Sequence, residues 1–124
     1  CDEIIATPDA RFAFPEARAG YVTTAGSVRR LIDAIGSARA KQLLLSASTL
    51  DGATAHDAGL VSRLCSDTEL LRTALDCAEL YRNLPRRSVS AMKGLVRSQL
   101  GGSSTRSWIE EVEAFEDLVG EDDP

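Results

Sequence analysis

The chain has 124 residues, 44% of them hydrophobic and 27% charged, which is the size of one ordinary domain built around one core. A formal charge of -5 and a pI near 4.8 argue against the basic surfaces that bind nucleic acid, so small-molecule or protein partners are expected. No apolar run approaches the ~20 residues of a membrane span, and no basic n-region leads into an apolar h-region. A cytoplasmic protein without a membrane or nucleic-acid partner is expected.

The cysteines, Cys1, Cys65 and Cys77, form no CxxC pair, and the single His56 has no cysteine near it to complete a metal set. Reduced thiols and no metal follow from that pattern. The chain opens on Cys1 rather than Met and closes on Gly120-Glu121-Asp122-Asp123-Pro124, so a segment cut from a longer protein is expected.

In chain order, Cys1 to Thr7 reads as a short strand carrying Ile4 and Ile5, with a turn at Pro8-Asp9. Phe12 and Phe14 alternate with Ala13 and suggest a second strand running into Pro15 and Glu16. From Ala25 to Ile35, Val28, Leu31, Ile32 and Ile35 share one helical face, and Gly36 supplies a stop. Ser37 is the candidate N-cap of a helix through Leu45, whose Leu43-Leu44-Leu45 run is expected to be buried. Asp51 can cap a short helix over Ala53 to Ala58, ended by Gly59, and Leu60 to Leu64 reads as a strand or extended segment. Ser66-Asp67-Thr68-Glu69 is an S-x-x-E capping box opening a long helix with a stripe of Leu70, Leu71, Ala74, Leu75, Ala78 and Tyr81. Pro85 breaks it. A helix from about Arg87 to Leu100 should turn Val89, Met92, Leu95 and Val96 inward before Gly101-Gly102 ends it. The last helix, roughly Thr105 to Val119, spaces Trp108, Ile109, Val112, Phe115 and Leu118 along one face.

Chemistry concentrates in Arg11 to Ser27. Pro15 fixes the backbone ahead of Glu16, and a loop of Thr and Gly residues then leads to a helix start, where backbone N–H groups can hold negative charge. The plain alternative is a solvated acid at a strand end. A general acid or base works best when partly buried without a compensating cation, and Phe14, Ala19 and Val22 could supply that burial. His56 beside Asp57 reads as structural. Arg29-Arg30 and Arg86-Arg87 read either as solvated pairs or as contacts for ligand phosphates. Trp108 and Phe115 read as core or as an oligomer contact, and Cys65 and Cys77 as small hydrophobes.

The run CDEIIAT, then ARFAFPEARAGYVTTAGSVRRLIDAIG, then ARAKQLLLSASTLDGATAHDAGLVSRL, resembles the second half of the enoyl-CoA hydratase/isomerase, or crotonase, superfamily. The resemblance covers nearly the whole chain. It implies an α/β fold, the β-β-α spiral of the crotonases, with residues 1–64 ending the spiral core and residues 65–124 forming a helical C-terminal oligomerisation or lid region. It implies an acyl-CoA substrate, with coenzyme A present only as part of that substrate and no separate cofactor, and a trimer or a hexamer of two trimers. The thioester oxygen would be held by two backbone N–H groups that stabilise an enolate-like intermediate. Glu16 matches the glutamate of the P-E motif, the acid/base at the carbon next to the thioester. Pro15 belongs to the same motif, Ala19 and Thr24 match positions lining the substrate pocket, and the Thr24 N–H matches one that orients the attacking water.

Three departures accompany this match. The upstream half of the pattern, which carries the oxyanion donors and the second catalytic glutamate, is not in these residues, and neither is the family's last helix. Thr23 stands where proline is usual, and Thr24 and Ser27 where glycines are usual. The 124 residues alone are therefore expected to be inactive. A non-catalytic relative or a helical interaction module is the alternative, supported by the altered loop and the apolar stripe of the last helix.

Overall fold

A computed structural model describes residues 1–100 and 104–120, without the side chains of residues 99, 104–108, 118 and 120. The expectations for Gly101-Gly102, and for the side chains of Trp108 and Leu118, lie outside the described residues. Strand β1 (Ile5–Ala6) pairs in parallel with β4 (Arg63–Leu64), Ile5 opposite Arg63. Strand β2 (Arg11–Ala13) pairs antiparallel with β3 (Thr49–Asp51), Phe12 opposite Leu50. Between them run helices α1 (Ser27–Ile35), α2 (Ser37–Ser46) and α3 (Gly52–Asp57), and after β4 come α4 (Leu70–Arg82), α5 (Arg86–Gln99) and α6 (Ser104–Gly120).

Two small apolar clusters hold the first 64 residues together. Ala6, Ala55 and Val61 form one, and Leu31, Ala40 and Leu43 the other, with Leu50 and Leu60 packed against both. Alanine supplies four of the eight buried apolar side chains among the described residues, so the elements approach closely and the core stays thin. Helix α1 follows the spacing read from sequence: Leu31 is buried, Ile32 and Ile35 flank it, and Gly36 stops the helix at φ +78°. Asp51 caps α3 as expected, its Oδ1 accepting the Thr54 N–H at 2.7 Å.

Several expectations are corrected. The first strand is only two residues long, because its partner β4 offers only two. Strand β3 carries no strong pattern in sequence and arises by pairing with β2. Gly36, not Ser37, occupies the N-cap of α2, and Ser37 is its first helical residue. Of the triple leucine only Leu43 is buried; Leu45 is 79% exposed, because successive residues on a helix point about 100° apart. The box before α4 forms by half: the Glu69 carboxylate accepts from the Ser66 backbone N–H, but Ser66 Oγ donates to Glu69 Oε2 at 2.5 Å instead of capping a backbone N–H, and a 3₁₀ turn over Asp67–Glu69 opens the helix. On α4 the buried residue is Cys77, while Leu71 and Leu75 face outward. On α5, Met92, Leu95 and Val96 are 65%, 59% and 58% exposed rather than inward.

Candidate active site

Pro15 and Glu16 start a 3₁₀ turn over Glu16–Ala19, with the Arg18 N–H donating to the Pro15 carbonyl at 3.0 Å. Gly20 closes it at φ +77°, a left-handed conformation that suits glycine. The chain then folds back, the Tyr21 N–H donating to the Glu16 carbonyl at 3.0 Å. This holds the Glu16 backbone firmly. Its side chain is half-buried, and Oε2 is enclosed with no hydrogen-bond partner. A buried carboxylate oxygen without a donor is costly, of the order of 1–3 kcal/mol, and groups left in that state concentrate where chemistry needs them.

Of the other residues singled out, Pro15 and Ala19 lie at the surface of this turn and Thr24 is half-buried in the loop after it. Thr24 opens a tight turn to Ser27, whose N–H and Oγ both donate to the Thr24 carbonyl, at 3.3 and 2.6 Å. Ala25 and Gly26 both take positive φ, +64° and +74°. For glycine that is ordinary; for Ala25 it costs roughly 1–2 kcal/mol.

A residue that sequence reasoning did not single out steadies this turn. Glu111 of α6 is buried, its Oε2 accepting the Gly26 N–H at 2.5 Å and its Oε1 the Val28 N–H at 3.0 Å. Four residues on, the Phe115 ring lies 5.7 Å from that of Tyr21. The signal available in sequence was indirect: α1 carries no acidic residue in its first turn, so an anion for its N-terminus has to come from elsewhere. Nothing within the acidic run of α6 singles out Glu111.

Arg29 and His56 are engaged elsewhere. Arg29 binds Asp33 at 2.9 Å and donates to the Leu100 carbonyl. His56 is exposed, with Nδ1 3.6 Å from Asp57. Clefts of about 470 Å³, beside Arg11 and Asp51, and about 320 Å³, beside Arg39 and Leu50, are not lined by Glu16 or Thr24. Among the described residues neither cleft holds an enclosed side-chain polar atom in want of a partner, so the Glu16 turn is the better candidate.

Comparison with known proteins decides the lineage. The sequence matches the enoyl-CoA hydratase/isomerase family over residues 1–123. The chain belongs to that family. It is 42% identical over 79 residues to a protein of Rhizobium meliloti named "Probable enoyl-CoA hydratase", covering 64% of this chain and 31% of that protein. To a Mycobacterium leprae protein named likewise it is 32% identical over 123 residues, covering 99% and 48%. The crystal structure of an enoyl-CoA hydratase/isomerase from Pseudoalteromonas atlantica superposes with a TM-score of 0.91 at 32% identity, covering 98% of this chain and 49% of that one. The fold is thus that of a crotonase segment, and the chain matches 31% and 48% of the length of these two curated relatives. Its few strands and many helices are consistent with a segment of the family fold.

Proposed function

We propose that these residues supply one half of an acyl-CoA site in a crotonase-fold hydratase or double-bond isomerase, with Glu16 as the general acid/base. The observation that carries this is the enclosed, partnerless Oε2 of Glu16, set on a turn that Pro15 and the Tyr21 N–H make rigid. An acid so placed is oriented by the backbone yet uncommitted to any donor, which leaves its oxygen available to a proton on substrate.

In the hydration direction, water oxygen bonds to the β carbon, the double-bond electrons move toward the thioester oxygen, and Glu16 then gives its proton to the α carbon. The proton lost by water goes to a base in the other half of the family pattern, which also carries the N–H groups for the thioester oxygen. Pro15 orients the acid, and Ala19 and Thr24 line the acyl pocket. An isomerase would use Glu16 to move a proton between two carbons of the same acyl chain, without water. Coenzyme A enters only as part of the substrate.

The test is hydration of a short 2-enoyl-CoA by the polypeptide that carries both halves. Glu16→Gln keeps the shape of the side chain and removes its acid, so kcat should fall by about 10²–10⁴ with little change in KM. Equal rates would remove Glu16 from the chemistry. The 124 residues alone should show no turnover.

A further inference from the structure

Helix α6 reaches the loop of the candidate site at two points, and both bear on the chemistry. We propose that Glu111 is a positioning residue: its carboxylate fixes the turn Thr24 to Ser27 and thereby aims the Thr24 backbone at the substrate on which Glu16 acts. The proposal rests on the acid/base reading of Glu16.

The turn's own bonds, from the Ser27 N–H and Oγ to the Thr24 carbonyl, work against backbone strain. The turn places a non-glycine residue, Ala25, at φ +64°, a conformation that glycine adopts freely and alanine does not. Residues in such conformations persist where their surroundings over-determine them, and they cluster at functional sites. Here the surroundings are explicit. Both oxygens of one buried carboxylate accept backbone N–H groups, Gly26 at 2.5 Å and Val28 at 3.0 Å, from 85 and 83 residues away in sequence. These are charge-assisted bonds to the N-terminus of α1, where an anion is favoured and where α1 provides none of its own.

The second point is Phe115, on the same face of α6 one turn on, packed against Tyr21. Tyr21 in turn closes the Glu16 turn through its N–H. Glu111 and Phe115 therefore grip the loop on either side of Thr24, and the Thr24 carbonyl is tied inward by Ser27. A surface loop of this composition would otherwise be free to shift by the ångström that separates a productive backbone position from an unproductive one.

The experiment has two readouts on the polypeptide carrying both halves. In Glu111→Gln the amide can accept one N–H, but its NH₂ faces the other, so one bond is lost and replaced by opposed donors. Hydrogen exchange at Gly26 and Val28 should speed up, while Leu31 to Ile35 remain protected. For a short 2-enoyl-CoA, kcat should drop about 10–100-fold with KM changed less than about threefold. Glu111→Asp, which keeps the charge at a shorter reach, should restore part of kcat. Faster exchange with unchanged kcat would overturn the proposal by making Glu111 a cap and nothing more. Unchanged exchange would overturn it by removing the grip. Should Glu111→Gln fail to fold, Glu111→Asp carries both readouts, and each result supports or overturns the proposal in the same way. Full turnover in Glu16→Gln would instead overturn the acid/base reading, and the exchange data would still report on the Glu111 contacts.

Discussion

Arg63 Nε donates to Glu3 Oε1 at 2.6 Å, tying the residues ahead of β1 to strand β4 beside the two-residue ladder that joins them. Tyr81 of α4 donates its hydroxyl to the other oxygen of Glu3 at 2.8 Å. One carboxylate thus links the strand pair to the first helix of the C-terminal region. The Arg63 guanidinium, and after it the Tyr81 hydroxyl, hold the Glu3 carboxyl below its ordinary value. A folded-state value lower than the unfolded one gives stability that is complete above the ordinary glutamate range, about 4.3, and is lost as pH falls through the depressed folded value. Glu3→Gln should therefore lower the melting temperature at neutral pH, and its melting curve should approach the wild-type curve in acid. A melting difference that does not shrink as the pH is taken below about 4 would remove Glu3 from this linkage.

Gly52 opens α3 against the residues after β1. A Cβ built there would sit 1.9 Å from the Thr7 carbonyl oxygen and 3.2 Å from the Pro8 carbonyl carbon. Both obstacles are backbone, and the Ala53 N–H holds the Pro8 carbonyl in place at 3.0 Å. Relief would have to separate α3 from the strand core. Gly52→Ala should cost about 1–3 kcal/mol, read as a lower denaturant midpoint at unchanged slope. Gly20→Ala, with open space around its Cβ but φ +77°, should cost less than Gly52→Ala and act only through backbone strain. Equal losses at the two positions would show that the α3 contact is looser than its distances.

The partnerless Oε2 of Glu16 implies a trade between stability and activity. Glu16→Met fills similar volume without a polar atom, so the cost of the unmet acceptor disappears. Unfolding free energy should rise by about 1–3 kcal/mol, while hydration of a 2-enoyl-CoA should be lost. A drop in stability would mean that the carboxylate contributes to the fold instead of straining it.

The helices of this chain were legible from sequence because their signals are local. Asp51 caps α3 across three residues, Gly36 stops α1 within one turn, and Pro85 parts α4 from α5. The strands were less legible, since β1 and β3 exist through partners 58 and 38 residues away and carry only two or three paired residues each. Glu16 was singled out because a motif surrounds it. Glu111 was not, because its contacts to Gly26 and Val28 depend on how α6 lies against the loop, which no spacing in the chain encodes. The inward assignment of Met92, Leu95 and Val96 failed for a related reason. Periodicity identifies an apolar face, but it does not say which molecule or segment covers it.

That apolar face leads to the last prediction. Helix α5 presents Met92, Leu95 and Val96, and α4 presents Leu71 and Leu75, all more than half exposed in the isolated chain. Side chains of this size at helical spacing form a patch suited to burial in an assembly. A second copy and the other half of the same polypeptide are the two covers to separate, and the outcome below is the one a second copy gives. Leu95→Glu places a charge in the stripe at a side chain that is 59% exposed. In the polypeptide carrying both halves it should reduce the mass measured by light scattering toward that of a single chain, with the far-ultraviolet dichroism unchanged. Burial of one leucine is worth about 1.5–3 kcal/mol, and a buried unpaired carboxylate adds to that at each copy of the interface, so dissociation at micromolar concentration is the expected outcome. An unchanged mass accompanied by a lower melting temperature would assign the stripe instead to the other half of the same polypeptide.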